Sequence, residues 1–252
     1  MAVNVRKRTV ISVAALLFLG SLIWNIPAAF VWSLVESRLP AKVTVTGLTG
    51  TLWSGQVRNM QVGGIEQGAL IWSWNPGQAF LGRLGLDVAW LPRNGRVDAQ
   101  LKMGASSLRI ENANGRLDAA TMAALNKAPF ILGGTWLFDV PLLELEDFER
   151  VQAAEGRLVW QDAAGGLPQP LPLGHLAADL GAEDGWLVLD LSDEGGGPLG
   201  LRGSARWRPA EPMHIDARLR AEASAEPTLT QGLGLLGRPD QEGWVQWRAR
   251  LQ

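Results

Sequence analysis

From Pro40 onward the chain alternates apolar and polar residues with a period of two. Val43 and Val45 alternate with Lys42, Thr44 and Thr46. Leu84, Leu86, Val88 and Trp90 share one face, and Gly85, Asp87 and Ala89 the other. Leu101 and Met103 alternate with Gln100 and Lys102, and Leu187, Leu189 and Leu191 form another stripe. Leu199, Leu201, Ala205 and Trp207 alternate with Gly200, Arg202, Ser204 and Arg206. Met213, Ile215, Ala217 and Leu219 alternate with His214, Asp216, Arg218 and Arg220. Such alternation predicts strands with one buried and one wet face. Turn residues separate them at Arg93–Gly95, Asn112–Gly115, Glu183–Gly185 and Asp193–Pro198.

Helical patterning is sparse. Asp118 to Asn126 is Ala-rich, with Asp118 placed to cap it. Pro227 to Gly237 predicts a second short helix, weakened by its glycines.

The N-terminal pattern is different. No charge occurs from Thr9 to Val35, a run of 27 positions. About 20 apolar residues suffice to cross a bilayer. Asn25 and Pro27 mark a kink or the interfacial end of the span, and Trp24 and Trp32 suit an aromatic belt. Arg6, Lys7 and Arg8 precede the run, which places the N-terminus in the cytoplasm and the bulk outside. A cleaved signal peptide is the rival reading. Its apolar region is shorter, about 7–15 residues, and Pro27 stands where its cleavage site wants a small residue.

Composition adds limits. Thirty glycines and 14 prolines favour turns over long helices. There is no Cys, so disulfides and thiolate metal sites are excluded. Once the three N-terminal cations are set aside, 25 acidic residues outnumber the remaining 20 basic ones. A basic nucleic-acid footprint is therefore missing.

Little in the chain points to catalysis. The two histidines, His175 and His214, have no second histidine at ligand spacing and read as surface residues. No Gly-x-Ser-x-Gly elbow occurs, and Gly195–Gly200 lacks the Lys-Ser/Thr ending of a phosphate loop. Glu144, Glu146, Asp147 and Glu149 form the densest carboxylate cluster, which reads as a solvated strand end. No catalytic, cofactor-binding or metal residue is assigned.

What remains is glycine and tryptophan. The hexapeptide Gly50-Thr51-Leu52-Trp53-Ser54-Gly55 joins two extended segments. Gly50 and Gly55 are read as backbone permissions for a bend or bulge, and Trp53 as the anchor of the first turn of the sheet. Trp72 and Trp74 share one strand face. A short internal echo follows. Gly50-Thr-Leu-Trp53 precedes Gln67-Gly-Ala-Leu-Ile-Trp72, and Gly134-Thr-Trp136 precedes Glu155-Gly-Arg-Leu-Val-Trp160. The echo suggests two related β-meander halves, 40–126 and 130–252. Coincidence is the competing explanation, since Gly and Trp are both abundant.

With these features in order, the chain resembles the type II secretion system protein N (GspN) family. The resemblance rests on the basic N-terminus and single anchor, Pro40–Gly47, Gly50–Gly55, and Leu70-Ile-Trp-Ser-Trp-Asn-Pro76. Gly197-Pro198-Leu-Gly-Leu-Arg-Gly203 and Leu235-Leu-Gly237-Arg-Pro-Asp-Gln-Glu-Gly243 extend it toward the C-terminus. It implies an accessory inner-membrane subunit of the machine that exports folded proteins from the periplasm, with no catalytic residues and no cofactor. The β-elements also resemble, more loosely, AsmA-like periplasmic proteins, whose curved sheets form lipid grooves.

The expectation is thus a mainly β protein with a cytoplasmic N-terminus (1–8), a transmembrane anchor (9–35) and a periplasmic domain (36–252). That domain is a large curved, mostly antiparallel sheet with one or two short helices. Its expected role is structural, through protein contacts with other secretion components. A lipid-binding or lipid-transfer groove is the alternative. The interaction candidates are Gly50, Thr51, Leu52, Trp53, Gly55, Trp72, Trp74, Trp160, Pro198 and Gly237.

Overall fold

The computed structural model describes residues 2–36, 43–81, 83–121, 131–166 and 169–251, with side chains described from residue 13 onward except at 79–82. The Arg6-Lys7-Arg8 side chains, Pro40 and residues 122–130 around the expected seam lie outside that description. The chain divides into two compact units, residues 1–74 and 75–252.

In the first unit, helix α1 (Ala2–Trp24) stops where a break was expected, and helix α2 (Ala28–Val35) follows. Pro27 is extended (φ −65°, ψ 137°) and has no N–H to continue the ladder. Asn25 closes α1 by donating its side-chain amide to Ser21 O at 2.8 Å. The run expected as one span over 9–35 is therefore two helices. Among the described residues, no helix is long and apolar enough to cross a membrane. Leu16, Leu17, Phe18 and Leu19 are nevertheless each more than half exposed. Consecutive helical residues point about 100° apart, so α1 is apolar and uncovered on every side there.

The strands of this unit are β1 (Val43–Thr46), β2 (Thr49–Gly50), β3 (Ser54–Val62) and β4 (Ile65–Asn75). Strand β3 lies antiparallel between β1 and β4, and β2 pairs its first residues.

The second unit begins with a 3₁₀ turn (Pro76–Leu81) and continues as a meander of ten strands: β5 (Leu84–Leu91), β6 (Gly95–Met103), β7 (Ser107–Asp118), β8 (Ile131–Glu146), β9 (Arg150–Gly166), β10 (Leu171–Glu183), β11 (Trp186–Asp193), β12 (Leu199–Trp207), β13 (Met213–Ala221) and β14 (Val245–Leu251). Each pairs antiparallel with the next. Helix α3 (Pro227–Leu236) interrupts the last connection, with Pro227 in its first turn and Gly237 just past its end, as its sequence predicts. The cap expected at Asp118 also forms, because its Oδ1 accepts from Ala120 N at 2.8 Å and residues 119–121 are helical.

One expected turn is not a turn. Asn112–Gly115 lies inside β7. Asp98 faces Asn114 and Gln100 faces Glu111, so two residues of β7 oppose one of β6. Asn112, at φ +50°, absorbs the extra residue as a bulge. Asn and Gly permit positive φ in turns and bulges alike, so residue type alone did not separate the two. Strand β8 shows the converse. Pro141 should interrupt a ladder, but the register slips between Asp139 and Leu142 and leaves it unpaired.

The core of this unit lies on one sheet face. Leu189 opposes Ala205, which opposes Ile215; Leu201 opposes Leu219, which opposes Val245. Helix α3 seats Leu229 and Leu233 on Leu199, Leu201 and Leu219. A second cluster continues the same face through Leu187 and Leu189 to Leu145 and Val151. The opposite face of β11–β14 carries Asp, Ser, His and Arg.

Candidate functional site

The hexapeptide Gly50–Gly55 folds as a tight hairpin. Thr49 pairs with Gln56 and Gly50 with Gly55. Thr51 N donates to Ser54 O at 2.8 Å. Its hydroxyl oxygen accepts from Trp53 N at 3.3 Å and Ser54 N at 3.2 Å, holding the turn from inside. The two glycines do different work. Gly50 sits at φ +92°, and a Cβ there would lie 2.4 Å from Ser54 O. Gly55 has no unusual φ; a Cβ would meet the Trp72 ring at 2.5 Å and Thr49 O at 2.6 Å. Gly50 supplies conformation and Gly55 supplies room.

Three tryptophans close on this hairpin. Trp72 Nε1 donates to Leu52 O at 3.1 Å, locking β4 over the turn. Trp53 O accepts from Trp74 N at 2.6 Å. The Trp53 ring is 5.3 Å from Trp74 and stacks on Trp24 at 6.5 Å; Trp24 meets Trp74 edge-on at 5.2 Å. Each such aromatic contact is worth about 0.5–1.5 kcal/mol beyond burial.

The same cluster grips the end of α1. The last carbonyls of a helix have no intrahelical donor. Trp53 Nε1 donates to Ile23 O at 2.9 Å, and Leu52 N donates to Ile26 O at 2.9 Å. Thr51 forms an isolated antiparallel bridge with Pro27. The hairpin therefore caps the apolar helix, and the first strands hang from that cap.

A second arrangement in the 75–252 unit uses the same parts. Gly134 stands at φ +91°, where a Cβ would lie 2.3 Å from Gln161 O. Trp136 and Trp160 face each other across β8 and β9 and stack at 4.9 Å and 14°. Trp160 Nε1 donates to Gly133 O at 2.9 Å, as Trp72 does to Leu52 O. Trp136 Nε1 is buried with no acceptor among the described residues. The echoed segments thus share a backbone device, a positive-φ glycine answered by an indole from a later strand.

Of the residues singled out by sequence, Gly50, Thr51, Leu52, Trp53, Gly55, Trp72 and Trp74 converge on one cluster. Trp160 belongs to the second arrangement. Pro198 lies in the β11–β12 connection, where its carbonyl accepts from Glu222 N at 2.9 Å. Gly237 ends α3 against Val245. Sequence reasoning assigned Trp24 to a membrane belt and missed that it completes the clamp; its position at the end of the apolar run, beside Pro27, was the available signal.

The remaining polar clusters are structural in geometry. Arg109 lies 3.8 Å from Glu144, and Arg150 pairs with Glu146 and Asp147 at 3.2 and 3.1 Å. The acidic run is thus the arginine-paired tip of the β8–β9 hairpin. His175 Nδ1 accepts from Asp162 N at 3.1 Å. His214 lies on the wet face of β13, edge-on to Trp186. Among the described residues no group of three or more His, Asp or Glu is placed to hold a metal ion. On β6, Arg96 holds the Asp98 carboxyl below its ordinary value through a side-chain hydrogen bond, and is itself raised by it.

The family model for type II secretion system (T2SS), protein N matches residues 41–248. The chain is 26% identical to a type II secretion system protein N of Vibrio cholerae, with 88% of this chain and 89% of that protein covered. It is 27% identical to a protein of the same description from Aeromonas hydrophila, with 90% of each covered. No solved structure matches the chain at a significant level. The matched region takes in the clamp hairpin and every strand that begins before residue 248, and the chain belongs to the type II secretion system protein N family.

Proposed function

We propose that this chain is a non-enzymatic assembly subunit of type II secretion, held in the inner membrane by α1 with its β strands on the periplasmic side. The observation that carries this is a helix apolar and uncovered in all directions, capped at its end by the Trp53 hairpin. A helix of that kind needs an apolar medium that this chain does not supply. Arg6, Lys7 and Arg8 at its start favour the cytoplasmic side for the N-terminus. The clamp then fixes the first hairpin at the membrane surface, where exposed backbone and Trp-bearing surface can meet neighbouring subunits.

The test is photo-crosslinking in cells from exposed positions on the hairpin, Thr49 and Ser54. Recovery of another secretion component is expected, together with loss of secretion on deletion. Intact secretion on deletion, with no such component captured, would sink the proposal. Alkaline phosphatase fused after Gln252 should be active if the topology is right.

A lipid-carrying role draws less support. Where α3 seats Leu229 and Leu233, the apolar face of β12–β14 is filled by the chain's own side chains. Stoichiometric phospholipid in native mass spectra of the purified protein would reverse that preference.

A further inference from the structure

The wet face of β11–β14 is a grid of three cross-strand rows. The first runs Ser192, Arg202, Arg218, Gln246. The second runs Asp190, Ser204, Asp216, Arg248, and the third Val188, Arg206, His214, Arg250. Arg202 thus stands directly opposite Arg218. Like charges in directly opposed positions destabilise a sheet. Among the described residues, no carboxylate lies at ion-pair distance from Arg202, Arg206, Arg218 or Arg250. In the middle row Asp216 accepts from both Arg248 and Gln246, while Asp190 has no ion-pair partner among the described residues. A chain with a formal net charge of −2 therefore concentrates uncompensated cations on one face.

Two of these arginines, Arg202 and Arg206, are also held in place. Trp244 lies under Arg202 and Arg220, at 5.2 and 4.5 Å from guanidinium to ring centroid. Trp186 lies under Arg206 and Arg208, at 5.1 and 4.4 Å. Stacking on indole fixes long side chains before any partner arrives, which lowers the entropy cost of binding. Two open grooves of about 570 and 550 Å³ flank the middle row, and both are lined by Ser204, Asp216 and Arg248. One reaches Arg206 and Arg250, and the other Arg202 and Arg218.

We infer that this face docks an extended acidic segment of a partner protein, with carboxylates seated in the two grooves. A uniformly anionic lipid surface fits less well, because Asp190 and Asp216 divide the two arginine rows. An extended chain places alternate side chains about 7 Å apart. It can meet one arginine row, pass the middle row with a neutral residue, and meet the other. This surface does not rest on the membrane anchor or on the hairpin clamp, so its failure leaves the proposed function standing.

The test uses the full-length protein in phosphatidylcholine nanodiscs, with a fluorescent (Glu-Ser-Gln-Ser)₃ peptide as probe, so that same-face residues alternate acidic and neutral. (Gln-Ser)₆ and phosphatidylglycerol/phosphatidylcholine vesicles are the comparison arms. Binding of (Glu-Ser-Gln-Ser)₃ is expected to be at least about tenfold tighter than that of (Gln-Ser)₆, and to weaken as salt rises. The pair Arg218→Gln and Arg250→Gln should lose about tenfold of it. The same pair should leave Tm unchanged or raise it by about 1–3 °C, since it relieves like-charge crowding. Arginines that serve only the fold would show the opposite, a lowered Tm with peptide binding unchanged. Equal binding of the two peptides, or arginine-dependent binding of vesicles but not of (Glu-Ser-Gln-Ser)₃, would overturn the inference.

Discussion

The Trp53 and Trp136 arrangements use one device for two ends. In each, a glycine near φ +90° lets a strand turn where a side chain would strike a carbonyl, and an indole of a later strand donates to a carbonyl within two residues of it. Around Gly50 the surplus indole, Trp53, reaches out of the sheet and caps α1 at Ile23. Around Gly134 the surplus indole, Trp136, stays within the sheet, stacked on Trp160 with its N–H unanswered among the described residues. The glycine and the bonded tryptophan build the sheet. What the second tryptophan touches decides whether the site is a joint or only a piece of core.

The largest effects should come from the glycines. Gly50→Val and Gly134→Val each put a branched side chain at a forbidden φ and against a carbonyl, costing about 3 kcal/mol or more. Hydrogen exchange should show the loss confined to residues 43–74 for Gly50→Val, and spread over β8–β9 for Gly134→Val. Equal loosening of both regions by either change would break the comparison.

Truncating the reaching tryptophan comes next. Trp53→Ala should cost about 2–4 kcal/mol and expose amides near Ile23 and Ile26 to exchange, with secretion lost. Trp53→Phe keeps the ring contacts but forfeits the Ile23 bond, for about 1 kcal/mol. A folded, fully secretion-competent Trp53→Ala protein would show that the cap is dispensable.

The subtlest distinction lies within the stacked pair. Trp160→Phe removes a made hydrogen bond and should cost about 1 kcal/mol more than the lost area alone. Trp136→Phe removes a donor that makes none, so it should cost the lost area and no more. Equal losses in denaturant titrations of the two variants would mean that Trp136 Nε1 finds an acceptor in solution.

The smallest effect provides the baseline, away from both arrangements. Asp98 is held below its ordinary value by Arg96, so its stabilisation is present above the unfolded-state value and fades as pH falls through the folded one. Both groups are solvent-exposed, so Asp98→Asn should only slightly flatten the acid limb of a Tm–pH curve. A large flattening would mean that the pair is shielded from solvent.

Much of the architecture was legible in sequence for a local reason. Side-chain period, helix-ending residues and two-residue turns depend on neighbours in the chain, so Leu187–Leu191, Pro27 and Glu183–Gly185 read correctly. The Asn112–Gly115 bulge read as a turn, because the same backbone freedom serves both. Strand β8 announced no alternation, since its Trp, Phe and Leu run is continuous and its proline is excused by a register slip.

The sequence by itself determined that strands form, where most of them end, and that an apolar helix precedes them. Tertiary structure alone decided which distant residues meet. Trp24 closes on Trp53 and Trp74, and Arg202 stands across from Arg218, because cross-strand register is set by the pairing of whole strands. A shift of two residues in β13 would keep every side chain on its face yet set a different residue opposite Arg202, and no local pattern records that choice.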